Sequence, residues 1–178
     1  MNSSGNPNIA FRKATIADAA LLKYWDTKQH VIASGNDDDW NWEKELIRDP
    51  AWREQLIAEL NGRPIGVVQI IDPKLEETHY WGNVESNLRA IDIWIGEEED
   101  LGQGYGTTMM NLAIERCFKE PEVTSILIDP LETNVRAHKF YRKIGFKEVG
   151  LQTFDEDRCL VFRLDRSNWL FGNATSSS

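Results

Sequence analysis

The stretch Leu101-Gly102-Gln103-Gly104-Tyr105-Gly106-Thr107-Thr108 lies between a short apolar run, residues 91–95, and a helical pattern over residues 109–118. Three glycines ahead of a helix leave backbone N–H groups uncovered by side chains. The helix start adds partial positive charge, so the place suits an anion such as a pyrophosphate. A tight strand-to-helix turn needs glycine as well, and the loop alone is a weak signal. Asp92 stands inside the apolar run. A carboxylate there is costly to bury and has either an ion-pair partner, such as Arg89, or a chemical task. Asp129 ends a second apolar run just before Pro130, where it serves either a ligand or a turn. Asn134, Ala137 and Tyr141 recur at helical spacing. Asn134 suits a helix cap, and Tyr141 can simply pack with its hydroxyl at the edge of a core. No Cys-His or Ser-His arrangement points to a covalent route. Two distant cysteines and three scattered histidines offer no metal-ligand spacing.

Taken together, the glycine loop and the later segment Asn134-Val135-Arg136-Ala137-His138-Lys139-Phe140-Tyr141-Arg142-Lys143-Ile144-Gly145-Phe146 resemble the acyl-coenzyme A-binding half of the GCN5-related N-acetyltransferases. Gly104 and Gly106 fit that family's glycine positions; Asn134, Ala137, Tyr141, Gly145 and Phe146 fit its second motif. Leu101 stands where many members carry Gln or Arg, which leaves phosphate binding to main-chain groups. The resemblance implies an α+β fold: a single domain with a central mixed, mostly antiparallel twisted sheet, flanked by helices and splayed at the acetyl-CoA site. It also implies acetyl-CoA as co-substrate, with no metal. The main chain of Ile93, Trp94 and Ile95 would run along the pantetheine arm. Gly102, Gln103, Gly104, Tyr105, Gly106 and Thr107 would surround the pyrophosphate, with Asn134 and Ala137 beside the pantetheine or ribose. In such enzymes the amine attacks the thioester directly. Asp92 would then bind the amine and take its proton, and Tyr141 would protonate the departing thiolate.

The match narrows further along. Arg89-Ala90-Ile91-Asp92, the leucine at 101, Pro121-Glu122-Val123-Thr124, Asp129-Pro130 and Asn134-x-Arg136-Ala137 are together similar to the aminoglycoside 6′-N-acetyltransferases. That resemblance makes Asp92 and Asp129 the carboxylates that grip a drug's amino groups, with Glu156 or Asp157 as a third contact. A polycationic sugar suits carboxylates and aromatic walls, for which Trp40 and Trp81 are the candidates. Other acceptors fit the same chemistry: a lysine-derived siderophore precursor, a polyamine or a protein amino group. A non-catalytic acyl-CoA-binding module is the alternative from another class, and the presence of both Asp92 and Tyr141 argues against it.

The 178 residues, 41% hydrophobic, fit one domain with a real core. Residues 8–166 are assigned to it, with 1–7 and 167–178 as polar, flexible termini. The net charge of −9 argues against nucleic acid and is compatible with a cationic substrate. No apolar run has membrane-spanning length, and the polar start lacks signal-peptide features. Reduced thiols in a cytoplasmic protein are the expectation for Cys117 and Cys159. Both monomer and homodimer stay open.

The expected elements are a strand over 9–14, a helix from Thr15 or Asp18 to Gln29, a polar break over 36–39 and a short helix over 40–47. Strands over 55–60 and 65–71 flank Asn61-Gly62, a strong hairpin signal. A long polar connection, 72–90, leads to the strand over 91–95. A strand over 123–128 precedes a helix over 134–144 stopped by Gly145, and strands over 146–151 and 159–164 close a hairpin. A polar, frayed tail is expected from 168. The acidic clusters at 37–39, 76–77, 97–100 and 155–157 read individually as solvated loops.

Overall fold

The computed structural model describes residues 7–35 and 40–175. The acidic run Asp37-Asp38-Asp39 and the polar break around it lie outside the described residues. Seven strands form one sheet in the order β1-β2-β3-β4-β5-β7-β6. They are β1 (Ile9–Lys13), β2 (Arg53–Leu60), β3 (Arg63–Ile71), β4 (Leu88–Ile95), β5 (Ser125–Ile128), β6 (Lys147–Phe154) and β7 (Asp157–Asp165). Asn61 and Gly62 turn the β2–β3 hairpin with φ of 50° and 84°, the left-handed pair that Asn-Gly supplies. All neighbouring strands run antiparallel except β4 and β5.

That parallel pair is short. Leu88, Ala90 and the residue between them pair with β5, and the ladder stops at Ala90–Leu127. Residues 91–95 continue along β3 alone, with Asp92 opposite Gln69 and Ile95 opposite Gly66. The sheet therefore opens in its middle, as the sequence resemblance implied.

Around the sheet lie α1 (Ala19–Asp26), α2 (Gln29–Ala33), α3 (Trp42–Ile47), α4 (Tyr105–Phe118), α5 (Val135–Ile144) and α6 (Arg166–Thr175). Alternation along the strands sends Leu56, Val68, Ile70 and Ile91 toward Met109, Met110, Ala113 and Ile114 of α4. The opposite face buries Ile57, Val67 and Trp94 against Leu22, Trp25 and Trp42 of the N-terminal helices. Each such side chain contributes about 1.5–3 kcal/mol on burial. Among the described residues no helix is long and apolar enough to cross a membrane. Both cysteines are buried and form no disulfide.

Several expectations need correcting. The first helix is not continuous to Gln29. It ends at Asp26, where the Thr27 hydroxyl donates to the Tyr24 carbonyl at 2.7 Å, and α2 starts anew. Three residues of the expected long connection, 88–90, belong to β4. The segment over residues 168–175 is helical rather than a loose tail. Arg166 anchors it by donating to the carbonyls of Val123, Phe118 and Glu120 at 2.8, 2.9 and 2.6 Å, and Trp169 packs 5.4 Å from Phe118. The run 97–100 is only half solvated. Glu97 accepts the Trp25 indole N–H at 2.9 Å, and Asp100 is buried in a two-pronged pair with Arg63 at 2.8 and 2.9 Å. Both carboxylates thus fasten the loop that leads to the glycines.

Candidate active site

The opening beside β4 is the wall of a cavity of about 390 Å³. Ile93, Trp94 and Ile95 line one side, and Gly102, Gly104, Gly106 and Thr107 line the end nearest α4. Gly102 and Gly104 hold φ of 71° and 83°, and Gly104 is the N-cap residue of α4. Gly106 is under no such demand: a Cβ there would sit 3.8 Å from Ile95 and Phe140, an ordinary contact. The backbone N–H groups at the start of α4 consequently face the cavity past a surface with almost no side chain. Gln103 is exposed and does not border the cavity. Tyr105 packs against the core and is also away from it.

The far wall is α5. Asn134 Oδ1 accepts the Ala137 N–H at 3.2 Å, so its side chain caps the helix while the residue borders the cavity. Gly145, with φ of 121°, ends it. Ala137 and Tyr141 line the cavity one turn apart. The Tyr141 ring is wedged among Phe140, Phe146 and Phe162 at 5.3, 5.8 and 5.9 Å. Burial, followed by the charges of Asp92 and Asp129, pushes its phenol above the usual range and keeps it protonated. His30 is an addition that sequence reading missed: its Nε2 lies 2.9 Å from the Ile95 carbonyl, at the end of the open strand.

A second cavity, about 490 Å³, meets the first, and Ser34, Asp92 and Asp129 border both. Arg89 does not pair with Asp92. It bonds Asp72 at 3.3 Å and Glu120 at 2.5 Å, and Asp92 has no ion pair among the described residues. Asp92 is enclosed by protein on nearly every side yet keeps part of its surface open to the cleft, as a residue at the bottom of a well does. Burial pushes it up to about 6. Asp129 rises to about 7, through burial first and the Asp92 charge second, while the Tyr80 hydroxyl donating at 2.6 Å pulls it back. Two carboxylates that resist joint ionisation are built to receive a cation.

Tyr80 is the strongest residue here that sequence reading left without a role. Its ring stacks on Phe154 at 4.6 Å and meets Trp81 edge-on at 5.8 Å. Buried Glu76 holds this loop: its carboxylate accepts the N–H groups of Thr78 and Tyr80 at 2.7 and 2.9 Å. The signal in the sequence was Glu-Glu-Thr-His-Tyr-Trp, an acidic pair followed by aromatics, and Glu76 proves to be an internal anchor rather than a solvated charge. Trp40 and Trp81 both border the second cavity, as does Asp157; Glu156 does not. Cys159 borders it too, but burial lifts its thiol to about 12, far from a nucleophilic thiolate.

Comparisons with known proteins bear on the family and the fold. Residues 15–154 match the acetyltransferase (GNAT) domain family. The aminoglycoside N(6′)-acetyltransferase type 1 of Klebsiella pneumoniae is 28% identical over 160 residues, spanning 85% of this chain and 80% of its own length. The lysine N-acyltransferase MbtK of Mycolicibacterium paratuberculosis is 25% identical over 177 residues, spanning 90% of this chain and 75% of its own. Among solved structures, aminoglycoside acetyltransferase AAC(6′)-Ib in complex with coenzyme A and kanamycin aligns with a TM-score of 0.83 at 26% identity, covering 93% of this chain and 99% of that one.

Proposed function

Because the chain belongs to the acetyltransferase (GNAT) domain family, we propose that it moves the acetyl group of acetyl-CoA onto a primary amine of a polycationic small molecule, the 6′-amino group of an aminoglycoside first among them. The observation that carries this reading is the placement of Asp92 and Asp129, which stand where the two cavities meet and border both. The glycine-lined cavity suits an acyl-coenzyme A, whose diphosphate would rest on the α4 backbone and whose pantetheine arm would follow residues 93–95. The larger cavity suits the amine. Its carboxylates and its aromatic side chains Trp40, Tyr80 and Trp81 fit cationic amino groups on sugar rings.

The chemistry follows from the geometry. An ammonium group entering between Asp92 and Asp129 favours their ionised forms, and Asp92 takes one proton from it. The free amine bonds to the thioester carbon, the carbon–sulfur bond breaks, Tyr141 supplies a proton to the sulfur, and the second proton that the nitrogen sheds as it becomes an amide returns to the phenol. Burial first, and then the charges of Asp92 and Asp129, make Tyr141 a weak acid; a bound cation offsets the charges, so the phenol becomes a better donor once the acceptor is in place. Tyr141→Phe should lower kcat by about 10²-fold, within the usual range for a lost general acid. Coenzyme A affinity should change little, as measured by calorimetry. An unchanged turnover would remove Tyr141 from the reaction.

A second reading has its own support. Arg48 and Arg53 also border the larger cavity, held by Glu45 at 3.2 and 2.8 Å. Guanidinium groups there would favour an acceptor that carries a carboxylate beside its amine, as lysine does. Thiol release from acetyl-CoA with a panel of amines separates the two. Turnover of kanamycin or tobramycin supports the first reading and turnover confined to lysine-like amines the second. Coenzyme A binding without thiol release would defeat both.

A further inference from the structure

The floor of the acceptor cavity carries polar groups that this reaction leaves unused. Gln69 on β3 lies directly across from Asp92 on β4 and from Gln55 on β2, so three polar side chains form a row across the sheet. Gln69 has no exposed surface, and neither its amide oxygen nor its amide nitrogen has a hydrogen-bond partner. The amide nitrogen of Gln55, also buried, is likewise unpaired. An unpaired buried amide costs stability that an apolar side chain of the same length would not. Such a cost beside a carboxylate whose ionisation is shifted marks a functional arrangement.

The Asp92 carboxylate is in a matching condition. The titratable groups that feel its charge are Asp129 just after β5, Tyr141 from α5 and Tyr80 from the preceding loop. None of them hydrogen-bonds it, and burial alone sets its shift. Cross-strand neighbours stand about 4.5–5.5 Å apart at Cβ. Neither amide atom of Gln69 finds a hydrogen-bond partner across that pairing, and a single water with two to four polar partners completes such a set.

We propose that Gln69, backed by Gln55, holds a buried water against the Asp92 carboxylate and so fixes Asp92 for proton abstraction. The water donates to the carboxylate and accepts from the Gln69 amide nitrogen. The Gln69 amide oxygen takes the water's second hydrogen or the amide of Gln55. Gln69 borders the cavity floor while exposing no surface, and it acts on the reaction through Asp92; it is a positioning residue. The inference rests on Asp92 as the base, as proposed above.

Gln69→Met in the full chain keeps the length and removes the polarity. Its melting temperature should equal or exceed that of the wild type. With an accepted amine, KM should stay within about twofold while kcat falls about 10- to 100-fold, the scale of a misplaced catalytic group. The acid limb of the rate–pH profile should move up by about half a unit, since a donor to the carboxylate is lost. In an Asp92→Asn background the same change should cost nothing further. An unchanged kcat and acid limb, or an equal loss in that background, would overturn the proposal. Absence of thiol release by the wild type with any amine would instead defeat the functional reading. A high-resolution crystal structure then decides separately: a water bridging Gln69 and Asp92 supports the inference, and Gln69 bonded only to protein groups sinks it.

Discussion

Asp92→Asn is expected to lower kcat/KM for the accepted amine by about 10²–10⁴-fold, the range for a lost general base, and to make the empty protein more stable at the same time. Asparagine keeps the shape of the side chain and mimics its protonated form, so the cavity stays intact while the proton acceptor is gone. The pH dependence follows from the raised values. The native pair holds protons up to about 6 and about 7, whereas carboxylates in the unfolded chain release theirs near about 4. Between those limits the folded protein binds more protons than the unfolded one, so the pair's contribution to stability is lost as pH rises from about 4 to about 7. Melting curves at pH 5 and pH 8 should therefore show the variant's advantage over wild type growing at the higher pH. Activity runs the other way: the ionised pair is needed, so the wild-type rate should climb through pH 6–7. A variant with wild-type turnover, or no gain in relative stability at pH 8, contradicts this account of Asp92.

Gly96→Ala should damage the fold itself. Gly96 follows β4 directly, and its N–H bonds the Ile65 carbonyl at 2.9 Å. A Cβ at this position would lie 2.0 Å from Cε2 and 2.2 Å from Cδ2 of Trp25, far closer than any real contact with the indole. Trp25 cannot turn aside, being almost wholly buried and tied through its indole N–H to Glu97 at 2.9 Å. Overpacking of this severity costs about 3 kcal/mol or more, which for a domain of this size lowers the melting temperature by about 6–12 °C. Soluble yield and a thermal scan test it; a variant melting within about 2 °C of wild type would mean that α1 gives way at little cost. Such a shift would also disturb Glu97 and the approach to the glycine loop, so surviving protein should bind coenzyme A more weakly.

What could be read in the sequence was what local chemistry decides. Asn61-Gly62 specifies its turn through backbone angles, and Asn134 and Gly145 bracket α5 through a cap and a left-handed stop. The glycine loop and Tyr141 were legible for the same reason, each within a contiguous motif. Residues whose role depends on strand register were not. Gln69 reads as one polar residue in an apolar strand, and only its alignment with Asp92 and Gln55 gives it meaning. Tyr80 meets Asp129 across 49 positions of chain, a relation set by the folding of the Glu76 loop. The choice between Glu156 and Asp157 likewise depended on where the β6–β7 turn falls. Arg166 turns the supposed tail into a helix through carbonyls at the distant end of α4, which no local propensity encodes.

The early end of the β4–β5 ladder has one more implication. Unpaired strand backbone is ordinarily a hazard because a neighbouring molecule's strand can zip onto it. Here the bare backbone lies in the interior of the sheet, hemmed by α4, α5 and the β5–β7–β6 ribbon, where a folded neighbour cannot reach. Only a slender thread with its own amides can slide in, so the protein keeps a sticky seam exposed to small molecules while hiding it from its own kind.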